Sequence, residues 1–269
     1  MSRFSTDWLS LREPFDRRAR NPDVLRAVGA AFANLPSLVI VDLACGTGST
    51  RRAIAGALPK PQQWRLYDND LSLLARAAAA PAPAGCTMRT APLDLVHDVE
   101  AALDGAPDLI AASALLDLVS AAWLERFVTE CAARNLPIYA ALTYNGEAAL
   151  EPFDARDAEI IAAANRHQAR DKGFGPALGA TAAAAFIARC KALGLTVTGG
   201  ASDWEIGPED REMQSALLTQ WARIAQEDGR LDAVEIAGWF TRRREFVARG
   251  VSRIRVGHRD VFAQPTGTR

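Results

Sequence analysis

The sequence has no excess of charge of either sign: 31 basic residues against 32 acidic ones give a formal net charge of −1. General electrostatic capture of nucleic acid is therefore disfavoured, and only a local basic patch could support it. Cysteine is scarce and scattered. The four residues Cys45, Cys86, Cys131 and Cys190 form no C-x-x-C pair. That spacing excludes a zinc module or a disulfide frame and reads as reduced thiols in a cytoplasmic protein. No apolar run approaches the ~18 residues that cross a bilayer, so no membrane association is expected. The opening residues, MSRFSTDWLSLREPFD, are charged and contain no apolar core, so no secretory signal is expected there. No G-x-x-x-x-G-K-[ST] string occurs, which excludes a P-loop.

What is present is core-forming material. With 269 residues and 49% apolar content, the chain can bury one large core. Its organising stretch is Val39–Thr50, VIVDLACGTGST. Val39 to Asp42 have the character of a short buried strand ending on a carboxylate. Leu43 to Gly48 form a turn of small residues, and Ser49 and Thr50 can start a helix. Such a turn lets a ligand approach the backbone closely, and a helix start offers unpaired N–H groups at a positive dipole end. A dinucleotide fingerprint would need a third glycine, but Arg51 stands there.

Residues 7–33 read as two helices punctuated by Pro14 and Pro22, with Trp8, Leu9, Leu11 and Phe15 able to share a face. They form either a lid or a helix packed on the sheet edge. Trp64 to Tyr67 is a second strand ending at Asp68, where a carboxylate can accept ribose hydroxyls. Asp70 is better placed as a helix cap. Thr87 to Ala91 is a third strand, followed by Asp94 and Leu95. Asp108 to Ser113 is the fourth, and Pro137 to Tyr144 the fifth, interrupted by Asn145-Gly146. Strands alternating with helices predict a parallel doubly wound sheet.

Beyond the fifth strand a helix is expected over 155–170, then a glycine-bearing loop carrying Asp171, Lys172 and Phe174. His167 and Asp171 are four apart and could share a helical face if the helix extends that far, where the acid would raise the basicity of the imidazole. A solvated helix with an ordinary turn is the competing reading. Leu195 to Gly199 is expected as the sixth strand, with Ser202 to Ile206 extending it past a bulge. Two amphipathic helices follow. Arg242, Arg243 and Arg244 on the second read as a solvated face, with an RNA or phosphate contact as the alternative. Ser252 to Ala263 alternates like a last strand, on which His258 is structural rather than catalytic. Residues 265–269 form a tail.

The stretch from Val39 to Tyr144 resembles the class I S-adenosylmethionine-dependent methyltransferases. The strand–Asp–turn run is close to that family's first motif, D-x-G-x-G-x-G, with Ala44 in place of the first glycine. The resemblance implies a Rossmann-like α/β fold: a doubly wound seven-stranded sheet with an antiparallel last strand beside the fifth, N-terminal helices, and a helical insert after the fifth strand. It implies a single domain, 1–269, with a lid over 1–36, a cofactor-binding half over 37–145 and a substrate-side half over 146–269. S-adenosylmethionine would be the cofactor and S-adenosylhomocysteine its product. Asp42, Ala44, Gly46, Gly48, Asp68, Asn69, Asp94, Leu95 and Ser113 would surround it, with Asp94 facing the adenine amino group or else capping the next helix.

The implied activity is methyl transfer to an O or N atom of a small-molecule acceptor by in-line displacement (EC 2.1.1.-), in a monomer or homodimer. His167 would be the general base, Asp171 its partner and Tyr144 a second candidate. A carboxylate acceptor would need no base, and Arg166, Arg170 or Lys172 could orient it by charge. Trp8, Arg12, Asp117, Asn145, Arg170, Lys172 and Phe174 are the candidate acceptor contacts. Arg20 is a further candidate to face the ligand from the lid. Asp117 reads either as a substrate-facing acid or as a helix cap. Metal-dependent relatives of catechol type cluster acids near the fourth and fifth strands. Asp117 and Asn145 lack a third partner, so no metal is expected. A Rossmann oxidoreductase of NAD type and a non-catalytic S-adenosylmethionine-binding protein are the alternatives.

Overall fold

A computed structural model describes residues 5–266. Residues 1–4 of the expected lid and 267–269 of the expected tail lie outside them.

The chain begins with two helices, α1 (Thr6–Arg18) and α2 (Pro22–Ala31). Pro14 lies inside α1 and does not end it. Pro22 takes the first position of α2 behind the cap Asn21, where its missing N–H costs nothing. The central strand β1 (Leu38–Leu43) follows, then α3 (Ser49–Ile54), β2 (Gln62–Asp68), α4 (Leu71–Ala79), β3 (Cys86–Pro92), the short α5 (Val99–Leu103), β4 (Leu109–Ser113) and α6 (Ala121–Ala133). These strands pair in parallel, β3-β2-β1-β4, and β4 pairs in parallel with β5 (Ile138–Glu151).

Beyond β5 come α7 (Asp157–Gln168), α8 (Ala182–Ala192), β6 (Thr196–Ala201), β7 (Trp204–Ile206), α9 (Arg211–Asp228), α10 (Ala233–Ala248) and β8 (Arg253–Gln264). Strand β8 runs antiparallel between β5 and β6, as expected. The sheet has eight strands rather than seven. Ser202 and Asp203 break the sixth strand, and Trp204–Ile206 pairs separately along β8. Ser202 N donates to the His258 carbonyl at 2.9 Å, while the Asp203 carboxylate receives the His258 N–H at 2.9 Å and Arg255 at 2.8 Å. Gly199 and Gly200 pair in unbroken register with Val261 and Asp260, so the bulge expected there does not form, and Asp203 brackets the strands instead.

Period-two alternation along β1 divides its side chains between two faces. Val41 and Leu43 pack with Ile110, Trp123 and Phe127 under α6. Leu38 and Ile40 pack with Val24, Val28, Trp64 and Leu66 under α2. A third core lies where β5 outruns the parallel sheet. Register shifts between Ala140 and Thr143 and between Tyr144 and Ala148 carry it through the expected Asn145-Gly146 break. There, Leu150, Ile160, Trp204, Leu218 and Trp239 pack among α7, α9 and α10.

The middle residue of the α10 triple arginine reaches into this third core. Arg243 is fully buried and pairs with Asp157, which also accepts from Trp239 Nε1 at 2.8 Å. Arg242 is bidentate to Asp154 at 2.6 and 3.1 Å, and Arg244 lies over the Phe240 ring. Arg243 is thus structural, whereas Arg242 and Arg244 stay on the solvated face that was expected for the run. No described helix is long and apolar enough to cross a membrane.

Candidate functional site

In an open parallel sheet, the crevice opens where neighbouring connections leave on opposite faces, at the carboxyl ends of the strands. Here the strand order reverses between β1 and β4. At that place lies a cleft that is partly open to solvent. The residue after each of these strands adopts a left-handed conformation, Ala44 with φ 50° and Ala114 with φ 50°. That conformation turns the chain away sharply at the rim, and both alanines line the cleft. Gly46 (φ 54°) and Gly48 (φ 80°) continue the turn, and Gly48 caps α3.

Asp68, at the end of β2, is buried. Its Oδ2 accepts from Gly46 N at 2.9 Å and its Oδ1 from Asp70 N at 2.9 Å. Asp70 caps α4 through Ser72 N and Leu73 N. Of the residues expected around a cofactor, Ala44, Gly46, Asp68, Asn69, Leu95 and Ser113 line the cleft. Asp94 does not. It is exposed, and its Oδ1 accepts from Val96 N at 3.0 Å, so it caps the turn before α5.

Asp42 is completely buried below the turn, and neither carboxylate oxygen has a hydrogen-bond partner of ordinary geometry. Burial pushes its carboxyl up to about 7, against the nearby Arg20 charge and Thr50 hydroxyl. Arg20 is likewise buried, and none of its guanidinium nitrogens is hydrogen-bonded. It lies over the Tyr139 ring with Asp260 and Asp16 nearby. Asp260 accepts from Tyr139 Oη at 3.0 Å, Leu142 N at 2.8 Å and Asn21 N at 3.0 Å. Thus β8 is tied to β5 and to the start of α2 beneath the cleft floor.

Arg51, in the place of a third dinucleotide glycine, is fully buried and donates to the Pro81 carbonyl at 3.2 and 3.3 Å. The third glycine of a dinucleotide site lets helix and strand pack closely, and here that space holds the Arg51 side chain.

Of the candidate acceptor contacts, Arg12, Lys172 and Phe174 line the cleft. Arg12 is bidentate to Asp16 at 3.0 and 3.1 Å and lies over Trp204, whose Nε1 donates to Asp16 at 3.0 Å. Asp16, four residues from Arg12 on α1, also lines the cleft and was missed. The i, i+4 pairing was visible in the sequence. Leu9 and Thr47 were missed as well, because nothing in their type marks them. Trp8 packs edge-on against Trp204 instead of lining the cleft. Asn145 seats against Gly257, where a side chain on residue 257 would collide with it. Arg170 is exposed.

The His167–Asp171 pair does not form. Helix α7 ends at Gln168, and Asp171 Oδ1 accepts from Gly173 N and Gly175 N at 2.6 and 3.0 Å, closing the turn. His167 lies outside the cleft lining. Burial and the neighbouring Lys172 and Arg170 lower its pKa, opposed by Glu227. Tyr144 donates to Asn165 Oδ1 at 2.7 Å, and burial pushes its hydroxyl up to about 12. Asp117 is buried behind the wall. Gln168 donates to its Oδ2 at 2.6 Å, its Oδ1 is unpartnered, and burial pushes it up to about 6. His258 is buried against Trp204, with Nδ1 3.0 Å from the Val256 carbonyl, and desolvation holds it down to about 3. No group of three or more His, Cys, Asp or Glu suited to a metal occurs among the described residues.

No protein-family model matches the sequence, and no curated protein matches it. Among solved structures, the chain is similar to YcgJ from Bacillus subtilis, with TM-score 0.50 and 11% identity over 92% of this chain and 100% of that one. It is also similar to the cyclopropane synthase MmaA2 from Mycobacterium tuberculosis, with TM-score 0.48 and 12% identity over 97% and 95% of the two chains. A third is a SAM-dependent methyltransferase from Geobacter sulfurreducens in complex with S-adenosyl-L-homocysteine, with TM-score 0.44 and 15% identity over 98% and 100%. The architecture shared with YcgJ is a Rossmann-like α/β fold, mostly parallel with antiparallel C-terminal strands.

Proposed function

We propose that the cleft binds S-adenosylmethionine and that the protein transfers its methyl group to an O or N atom of a small-molecule acceptor. The observation that carries this reading is the Asp68 carboxylate. It ends β2 at the rim and is hydrogen-bonded to the turn after β1, so one side chain joins the two loops that would hold a nucleoside.

The residues present fit the cofactor. Asp68 and Asn69 would hold the ribose. Leu93, Leu95 and Leu73 offer apolar surface to adenine. The orphaned oxygens of Asp42 and nitrogens of Arg20 lie buried beneath the lining and would act on an amino-acid end by charge rather than by contact. S-adenosylmethionine supplies an activated methyl sulfonium. The protein's part is to hold the acceptor in line and exclude water, an orientation effect worth ~7–11 kcal/mol.

Heat-unfolding shifts with S-adenosylhomocysteine and with NAD test the cofactor. A shift with the first alone is expected, and a shift with NAD alone would replace this reading by an oxidoreductase. Binding without turnover of any acceptor would leave a cofactor-binding protein.

A further inference from the structure

Away from the turn and the ribose-side acids, the described lining is apolar except for the mutually paired Arg12 and Asp16 and for Lys172, which no acid pairs. Leu9, Leu115, Leu118 and Phe174 form walls, and Lys172 stands among them. Its Nζ donates to the His167 carbonyl at 2.9 Å and lies 3.5 Å from Nδ1 of the same residue. Among the described residues no carboxylate forms a salt bridge with it. An ammonium group carries three donors, so at least one is left for a ligand. The charged groups around it are Arg170, Asp117 and Glu227. Asp117 is buried and hydrogen-bonded to Gln168.

Among the described lining residues there is no histidine or tyrosine to take a proton from an acceptor and the acids are engaged, while Lys172, lowered by burial, could take one only by giving up its charge. Asp16 is held by Arg12 and Trp204. Asp68 accepts two backbone N–H groups, and Asp70 caps α4. Burial pushes the Cys45 thiol far up. His167 and Tyr144 lie outside the lining. A hydroxyl or protonated amine brings a proton that must leave, whereas a carboxylate is already ionised at neutral pH and brings none.

Resting on the methyl-transfer reading above, we propose that the acceptor is a small apolar carboxylic acid, bound as its carboxylate on Lys172, and that the product is its methyl ester. One carboxylate oxygen accepts from Nζ. The other forms a bond to the methyl carbon while the carbon–sulfur bond breaks. The electron pair of that bond stays on sulfur as a neutral thioether, and no proton moves.

The test uses the full chain, S-adenosylmethionine and matched probes: octanoate and phenylacetate, the amines octylamine and phenethylamine, and the alcohols octanol and phenethyl alcohol. S-adenosylhomocysteine formation and methanol released by alkali are measured. Turnover of a carboxylate at least tenfold above its matched amine and alcohol, with an alkali-labile product, is expected. Lys172→Met should raise KM for that carboxylate at least tenfold and leave S-adenosylhomocysteine affinity within threefold. Lys172→Arg should restore part of the loss.

Preference for an amine or alcohol, no turnover of either carboxylate, or indifference to Lys172→Met overturns the inference while leaving the cofactor reading intact. Failure to bind S-adenosylhomocysteine overturns both.

Discussion

The Gly46 N–H donates to Asp68 Oδ2 at 2.9 Å, across 22 residues of sequence. The turn after β1 is thus held in place by the acid that ends β2. Removing that acid should loosen the turn as well as delete the proposed ribose contact. Asp68→Ala is expected to weaken S-adenosylhomocysteine binding by ~10–100-fold, the worth of one or two hydrogen bonds to a charged group. Titration calorimetry reads this directly. Unchanged affinity would remove Asp68 from the site.

Asp42 gives a pH dependence of defined sign. Its folded-state value is about 7, against an ordinary 3.8. Below 3.8 the carboxyl is protonated in both states and contributes no difference. Between the two values the folded state binds the extra proton, so stability falls as pH rises. Above about 7 the full penalty is present, and the gap corresponds to ~4 kcal/mol at most. Asp42→Asn should therefore gain stability relative to wild type on going from pH 5 to pH 8. Urea denaturation of both proteins at the two pH values checks it. A stability difference that does not change with pH, or that changes in the opposite direction, refutes the assignment.

Arg243 and Asp157 join α10 to the start of α7 inside the third core, with side-chain exposures of 0% and 9%. Deleting one partner strands a buried charge. Arg243→Met should cost ~3–5 kcal/mol, measured by denaturant unfolding. The pair Arg243→Met with Asp157→Asn, which removes both charges but keeps an acceptor for Trp239 Nε1, should recover part of that. No recovery would mean that the geometry, not the charge, is what matters.

At Gly146, φ is +88° and an added Cβ would stand 2.6 Å from Ala180 Cβ. The residue sits where β5 changes register on β8, and its carbonyl accepts from Asn165 at 2.9 Å. Gly146→Ala should destabilise by ~2–4 kcal/mol through backbone conformation and overpacking. Adding Ala180→Gly should relieve the collision and leave the backbone part. Equal unfolding midpoints for the single and double variants would contradict that division.

The sequence by itself determined the central sheet and the rim of the cleft. Val39–Asp42, the small turn and Asp68 lie within thirty residues, and their hydrophobic period, small side chains and terminal acids are local properties that survive without tertiary context. The last strand was likewise legible in its alternation, although its antiparallel direction beside the fifth came only from the family resemblance. Tertiary structure alone decided the rest. Whether a helix reaches Asp171 depends on where Gly173 and Gly175 need a hydrogen-bond acceptor, and that turn took the carboxylate away from His167. Whether three consecutive arginines face water depends on which acids α7 brings to α10. Asp42 read as a strand-end acid in sequence. Its unpaired burial opposite Arg20 arises because α1 and α2 close over that face of the sheet. The proposed acceptor end of the cleft is assembled from α1, the segment after β4 and the loop after α7, segments far apart in the chain. No local pattern could place Lys172 among leucines, since that juxtaposition exists only once the sheet has brought their connections to one edge.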